Sequence, residues 1–499
     1  MSPSRRLSAL TDVTGPAQLP GYDPARHGTG IVHIGAGAFH RSHQAVFTDD
    51  ALAHSGGDWR IIGISLRGTD VADALNPQHG LFTLIERGPE GTQARVIASI
   101  DRVIAAARDR AAPLAALSHP STRIVTLTVT EKAYGIDRTT MAADPNHPAV
   151  AADLSDPRHP RGVLGLLVEG LRLRRDAGLT PFTVLCCDNL PDNGGLLRAG
   201  VTDFAQCIDP SLADWIAEKV AFPSSMVDRI TPAATEATLK DAALLTGCTD
   251  LAAVETEPFS QWVIEDDFPT GRPDWAAGGA LFVKDVEPYE LMKLRMLNGS
   301  HSMLAYAGFL SGRKYVRDVM ADPALSALVA RHLAAAAATL PALSGIDLDA
   351  YAAALKARFG NPAIAHETFQ IAMDGTEKLP QRILAPAVEI VARGGNAGSF
   401  AFAVAAWMRY CLGRTDGGEA YPLRDPREAE IHAVLTGVST AEAMSAALHG
   451  LPGLFPEALA SNAFWRQAVA EKLAIMLDKS VGQAIHLEST GLSNWEQVT

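Results

Sequence analysis

The stretch Tyr289-Glu290-Leu291-Met292-Lys293-Leu294-Arg295-Met296-Leu297-Asn298-Gly299-Ser300-His301 sets acid, base and amide side chains on a helical pattern. At about 100° per residue, Glu290, Lys293, Leu297 and His301 fall within about 80° of one face, with Asn298 at its flank. A lysine buried on such a face has a lowered pKa and acts as a general base near neutral pH. An asparagine amide donates to an oxygen that gains negative charge as a carbonyl forms or collapses. The same spacing also suits a solvated face with an i,i+3 Glu290–Lys293 pair. His33, His40 and His43 have no cysteine or carboxylate at ligand spacing, so no metal ion is expected.

A second chemical feature precedes this one. Ile31-Val32-His33-Ile34-Gly35-Ala36-Gly37-Ala38-Phe39-His40-Arg41 reads as a strand, a glycine turn and a helix continuing through Gln44 to Leu52. Gly35 permits the tight turn and Gly37 lets the backbone approach a pyrophosphate. His40 stands where the dinucleotide fingerprint has its third glycine. Candidate cofactor contacts are Ile34, Gly35, Ala36, Gly37, Ala38, Phe39, His40 and Arg41, with Thr130 and Glu131 after a later strand. Asp70, past the second strand, is either the ribose partner that favours NAD or a turn residue, and nearby Arg67 leaves NADP open. Asp188-Asn189 ends another strand, where capping and turn chemistry offer an equally good explanation.

These groups need elements to carry them. Ile31–Ile34, Arg60–Ile64, Arg123–Val129 and Phe182–Leu185 are continuous apolar runs separated by helical stretches, the pattern of a parallel sheet covered on both faces. After about Val286, helical patterns take over: Tyr289–Leu310, Ala324–Leu340, Ala352–Arg358, Leu384–Arg393, Phe400–Leu412 and Ala441–Leu448, with punctuation at Leu379-Pro380. The expected fold is therefore α/β, a Rossmann-type parallel-sheet domain over 1–285, followed by a mainly α-helical domain over 286–499.

Composition narrows the function classes. The chain has 499 residues and a net charge of −13, which disfavours nucleic acid as a partner. With 47 % apolar and 20 % charged residues it has the balance of a folded enzyme. No run approaches the roughly 20 apolar residues of a membrane span. Met1–Pro16 lacks the apolar core of a secretory signal, and the five cysteines form no CxxC pair. A reduced, cytoplasmic enzyme acting on a small molecule is expected, with oligomeric state left open.

Five motifs together resemble the mannitol dehydrogenase family of polyol-specific long-chain dehydrogenases. They are Gly35–His43, Thr128-Val129-Thr130-Glu131-Lys132, Cys187-Asp188-Asn189-Leu190, Met226-Val227-Asp228-Arg229-Ile230-Thr231-Pro232 and Lys293–His301. The resemblance implies metal-independent hydride transfer with NAD at a site drawn from both domains, and a histidine at the position of His40. It implies Lys293 as general base, Asn189 and Asn298 holding the reacting oxygen, and Glu290 passing the proton to solvent. His301, Val227 and Asp228 would contact substrate hydroxyls.

Within that family, His366–Arg382 and Ala406-Trp407-Met408-Arg409-Tyr410 look like the fructuronate reductase branch. Gln370 stands where mannitol dehydrogenases have a substrate-contacting arginine. Lys378 and Arg382 offer cationic partners for a sugar-acid carboxylate, although Arg382 equally suits a structural ion pair. The expected reaction is D-mannonate + NAD = D-fructuronate + NADH. A neutral polyol (mannitol or arabinitol) dehydrogenase and a tagaturonate-type reductase are the alternatives.

Overall fold

The apolar runs of the N-terminal half become strands buried on both faces. The computed structural model describes residues 5–343 and 345–491, and divides into two compact units between Glu287 and Pro288. The strands of the first unit are β1 (Thr29–Ile34), β2 (Arg60–Ser65), β3 (Phe82–Gly88), β4 (Gly91–Ile97), β5 (Ile100–Ala105), β6 (Ile124–Leu127), β7 (Ile136–Asp137), β8 (Ala142–Ala143), β9 (Thr183–Cys186), β10 (Ser225–Asp228), β11 (Val254–Thr256), β12 (Gln261–Glu265) and β13 (Leu281–Val283). Five of them form a parallel sheet in the order β5-β2-β1-β6-β9. Alternate side chains feed two cores: Val32, Ile62, Val125 and Val184 on one face, Ile31, Ile61, Ile124 and Leu185 on the other. The chain order reverses at β1, between β2 and β6, and ligands of open α/β sheets bind beyond the carboxyl ends of the strands at such a point.

The expected strand Arg123–Val129 pairs only over Ile124–Leu127, because the backbone turns left-handed at Thr130 and leaves the sheet ahead of it. The helix expected from the glycine turn through Leu52 is split at His43 into Ala38–Ser42 and Gln44–Ser55. The His43 ring sits among Phe39, Phe47 and Trp262 and hydrogen-bonds the Gln261 carbonyl, a tertiary contact with no local signature. Two three-stranded sheets, β10-β12-β13 and β11-β3-β4, were not legible as apolar runs. β4, for example, carries exposed Gly91, Thr92 and Gln93 at three of its seven positions.

The second unit is mainly helical, and its expected first helix, Tyr289–Leu310, is interrupted. Helix Glu287–Met292 leads into a π-helical turn over Lys293–Asn298, and helix Gly299–Leu310 follows. A second π turn, Pro380–Leu384, joins Gly375–Leu379 to Ala385–Ala392, so Leu379-Pro380 does not end the helix as expected. Proline has no N–H to give and its ring collides with the carbonyl four residues back. A wider i→i+5 turn accommodates both defects. The two π turns meet at a glycine: a Cβ on Gly299 would lie 2.9 Å from the Arg382 carbonyl oxygen. Arg295, buried in the first turn, donates to the Thr339 carbonyl and to both oxygens of Glu389, which anchors the turn. Helix Ala463–Asp478, packed on Gly398–Tyr410, lies beyond the last pattern read from sequence. No helix among the described residues is long and apolar enough to cross a membrane.

Candidate active site

In the first unit the glycine turn follows β1. Gly35 has φ +102, and a Cβ there would lie 2.1 Å from the Thr128 carbonyl oxygen, so both conformation and space demand glycine. Gly37 is different. Its φ of −73 is open to any residue, and a Cβ would meet nothing nearer than the Gly35 carbonyl oxygen at 3.8 Å. What the missing side chain leaves is open space in front of the first N–H groups of Ala38–Ser42, which fits the close approach of a dinucleotide pyrophosphate. Gly37→Ala is therefore expected to leave the melting temperature unchanged and to weaken NADH binding about tenfold or more. A fluorescence titration showing wild-type affinity would remove Gly37 from the cofactor site.

Behind the turn, Arg41 is buried and donates to the Ala36 carbonyl at 2.9 Å, and burial pushes its guanidinium down to about 10. His40, at the third-glycine position, stacks on His33 of β1 with ring centroids 3.5 Å apart. Two flat rings thus achieve the close helix–strand contact that a third glycine would allow. Burial keeps both imidazoles neutral, pulling His33 down to about 3 and His40 well below its usual value. His33 is held by Thr126 Oγ1 at 2.7 Å and Thr128 Oγ1 at 2.8 Å.

The other candidates of this unit stand beyond the carboxyl edge of the parallel sheet or on β10 of a smaller sheet. Asp70 is exposed and opens helix Asp70–Leu75, beyond a turn closed by Ser65 Oγ on the Gly68 carbonyl at 2.7 Å. Thr130 follows β6 with φ +74, rare outside glycine. Glu131 opens a short 3-10 turn, and its side chain lies outside what is described. Asn189 is exposed and sits at the centre of a γ-turn closed by Leu190 N–H on the Asp188 carbonyl at 2.9 Å. Val227 and Asp228 are buried at the end of β10. Next to them Arg229, quoted within a motif but given no role, donates to the Ser42 carbonyl at 2.5 Å and pairs with Glu86. Thr231 Oγ1 and Ser42 Oγ are 2.6 Å apart. This clamp fixes Asp228 relative to the glycine-turn helix.

In the second unit, Lys293 opens the first π turn and Asn298 closes it. On an α-helix these two would be about 140° apart. An i→i+5 turn repeats roughly every 4.4 residues and brings them near one face, which the α-helical reading had left at a flank. Lys293 and His301 are both buried, Glu290 and Asn298 half-buried. The His301 ring lies 4.5 Å from Phe359 and 5.4 Å from His366. Its Nε2 has no hydrogen-bond partner among the described residues, a cost of about 1–3 kcal/mol that a substrate hydroxyl would relieve. Burial, with His366, Arg358, Arg382 and Lys293 nearby, holds His301 well below its usual pKa.

The two cations proposed for a carboxylate differ. Lys378 Nζ donates to the carbonyls of Met373 at 2.5 Å and Ile371 at 3.3 Å and faces Asp374 at 3.6 Å, so its donors are directed to the end of helix Thr368–Ala372 and the turn that follows it. Arg382 reaches helix Gly299–Leu310, where its Nη1 donates to Ser302 Oγ at 3.3 Å, and among the described residues it pairs with no carboxylate. Gln370 is exposed on helix Thr368–Ala372.

Two family models cover most of this chain: the mannitol dehydrogenase Rossmann domain over residues 29–277 and the mannitol dehydrogenase C-terminal domain over residues 285–477. The chain belongs to the mannitol dehydrogenase family. Among family members, it is 42 % identical to the D-mannonate oxidoreductase of Escherichia coli K12 over 96 % of this chain and 99 % of that one. The Pseudomonas fluorescens mannitol 2-dehydrogenase, solved as a ternary complex with NAD and D-mannitol, superposes with a TM-score of 0.83 at 36 % identity, covering 96 % of this chain and 98 % of that one. A substrate-free D-sorbitol dehydrogenase gives 0.89 at 34 % identity, covering 96 % of this chain and all of the other. The Rossmann model of the family takes in the glycine turn, Asn189 and Asp228, and its C-terminal model takes in Lys293 and Arg382.

Proposed function

We propose that this member of the mannitol dehydrogenase family interconverts D-mannonate and D-fructuronate with NAD. The observation that carries the choice of a sugar acid is Arg382, a guanidinium beside Ser302 with no carboxylate partner among the described residues, in a chain of net charge −13. A substrate carboxylate supplies the missing bidentate acceptor. The likeness to D-mannonate oxidoreductase along nearly the whole of both chains supports the same reading.

In the oxidative direction Lys293, as general base, accepts the proton of the substrate's C5 hydroxyl. Asn189 and Asn298 donate to the oxygen as it gains charge. The neutral His301 imidazole, Asp228 and the Val227 side of the site orient the remaining hydroxyls, and Glu290 hands the proton on to solvent. Residues 34–41 at the glycine turn would hold NAD, with Thr130, Glu131 and Asp70 as further contacts, and the bound coenzyme would supply the hydride acceptor. Arg382 receives the carboxylate, while Lys378 holds the end of helix Thr368–Ala372 and the turn after it in place.

A neutral polyol is the competing substrate, favoured by the likeness to mannitol 2-dehydrogenase. The kcat/KM for mannonate is expected to exceed that for mannitol at least tenfold, since an unfilled charged pair costs about 1.5–3 kcal/mol. NADH formation with both substrates in one assay checks this, and a preference for mannitol overturns the sugar-acid reading.

A further inference from the structure

We propose that Asp188 is a positioning residue that fixes the coenzyme-side loop after β6 through its carboxylate and the turn carrying Asn189 through its own backbone carbonyl. The inference rests on the roles proposed above for Thr130 and Asn189. Asp188 stands just past β9, the parallel neighbour of β6. Its Oδ2 accepts the Val129 N–H at 2.9 Å and the Tyr134 hydroxyl at 2.6 Å, and its Oδ1 accepts the Thr130 N–H at 3.4 Å. Its own carbonyl accepts the Leu190 N–H at 2.9 Å, which closes the γ-turn around Asn189, and Asn193 Nδ2 at 3.1 Å. Asn193 in turn exchanges hydrogen bonds with the Ser225 backbone at the start of β10, at 2.7 and 3.0 Å. One residue thus joins the tips of two adjacent strands, each of which delivers a functional group.

The physical need for such a tie lies in Thr130. A β-branched residue at φ +74 is held against its preference, at a cost of about 1–3 kcal/mol, and persists only where its surroundings over-determine it. Val129 and Thr130 present consecutive N–H groups, and a carboxylate is the side chain that accepts from both. Burial pushes the Asp188 carboxyl up, and the three donors counter that push. Tyr134, itself fully buried, sets the carboxylate's orientation from beneath.

Asp188→Asn separates these functions. With the amide oxygen retained by Val129 and Tyr134, the amide nitrogen faces the Thr130 N–H, so the left-handed residue alone loses its acceptor. The expected result is a rise in the NADH dissociation constant of about tenfold, with kcat at saturating NAD within about twofold and the melting temperature within a few degrees of wild type, since the backbone carbonyl that closes the Asn189 turn is unchanged. Adding Thr130→Gly, which takes φ +74 without strain, restores NADH binding to the level of Thr130→Gly alone. Wild-type NADH affinity in Asp188→Asn, or no recovery in the double variant, overturns the proposal. If Asp188→Asn does not fold, Tyr134→Phe decides: a weaker NADH affinity supports the tie and an unchanged one overturns it. NADH binding is read by fluorescence without any sugar present, so a wrong substrate assignment leaves these outcomes untouched.

Discussion

Lys293→Ala lowers the turnover number about a thousandfold, within the 10²–10⁴ range typical of removing a positioned general base. Lys293 is buried at the mouth of a π turn, and the glycine turn that would hold the coenzyme lies in the other unit of the chain. NADH affinity is therefore expected to stay within about twofold of wild type, which separates lost chemistry from lost binding. Lys293→Arg is the sharper variant. It keeps the positive charge, but a guanidinium does not deprotonate near neutral pH and cannot take the hydroxyl proton. Both variants should lose the limb of the pH–rate profile on which rate rises with deprotonation of the base. Single-turnover rates across pH check this. A Lys293→Arg enzyme with near-wild-type turnover would show that the site needs a cation and not a base.

Arg382→Gln separates the two substrate classes. A charged, bidentate hydrogen bond lost to a neutral amide is worth about 1.5–3 kcal/mol, so kcat/KM for mannonate falls roughly 10- to 100-fold. Mannitol has no carboxylate, and its kcat/KM should remain within a few-fold of wild type. The contrast depends on Arg382 having Ser302 Oγ as its hydrogen-bond acceptor and no carboxylate partner among the described residues. Lys378→Met provides the comparison. Because Nζ of Lys378 is occupied by the carbonyls of Ile371 and Met373, its loss should impair both substrates alike by loosening that helix end and turn. Equal losses for mannonate and mannitol in Arg382→Gln would reduce Arg382 to a structural residue.

Four strands of the parallel sheet were legible because they are apolar on both faces, and a run such as Ile61-Ile62 or Val184-Leu185 has few other uses in a folded chain. The edge strand β5, which carries Asp101 and exposed Arg102, was not. The smaller sheets were not, since strands with polar, exposed positions such as β4 leave no such run. The reactive residue types were legible too: Lys293, Asn298 and His301 on one stretch, Gly35 and Gly37 after the first strand. Their relative placement was harder to read. A constant 100° per residue put Asn298 at the edge of the Lys293 face, and the π turn moves it inward. Pro380 reads as a helix end, yet the chain continues through it in a second π turn that rests against Gly299.

Sequence alone determined which residue types are available, the two-part α/β and helical architecture, and membership of a family whose motifs occur in order. These follow from local rules, the period of burial and the backbone needs of glycine, which neighbours in the chain suffice to express. Tertiary structure alone decided that His40 replaces a glycine by stacking on His33, and that Arg382 rather than Lys378 has donors to offer. It alone brought the Asp188 carboxylate at one strand tip to the Val129 and Thr130 N–H groups at the next. Each of these depends on a partner far along the chain or on a helix turn whose width is set by packing, and no local pattern encodes either.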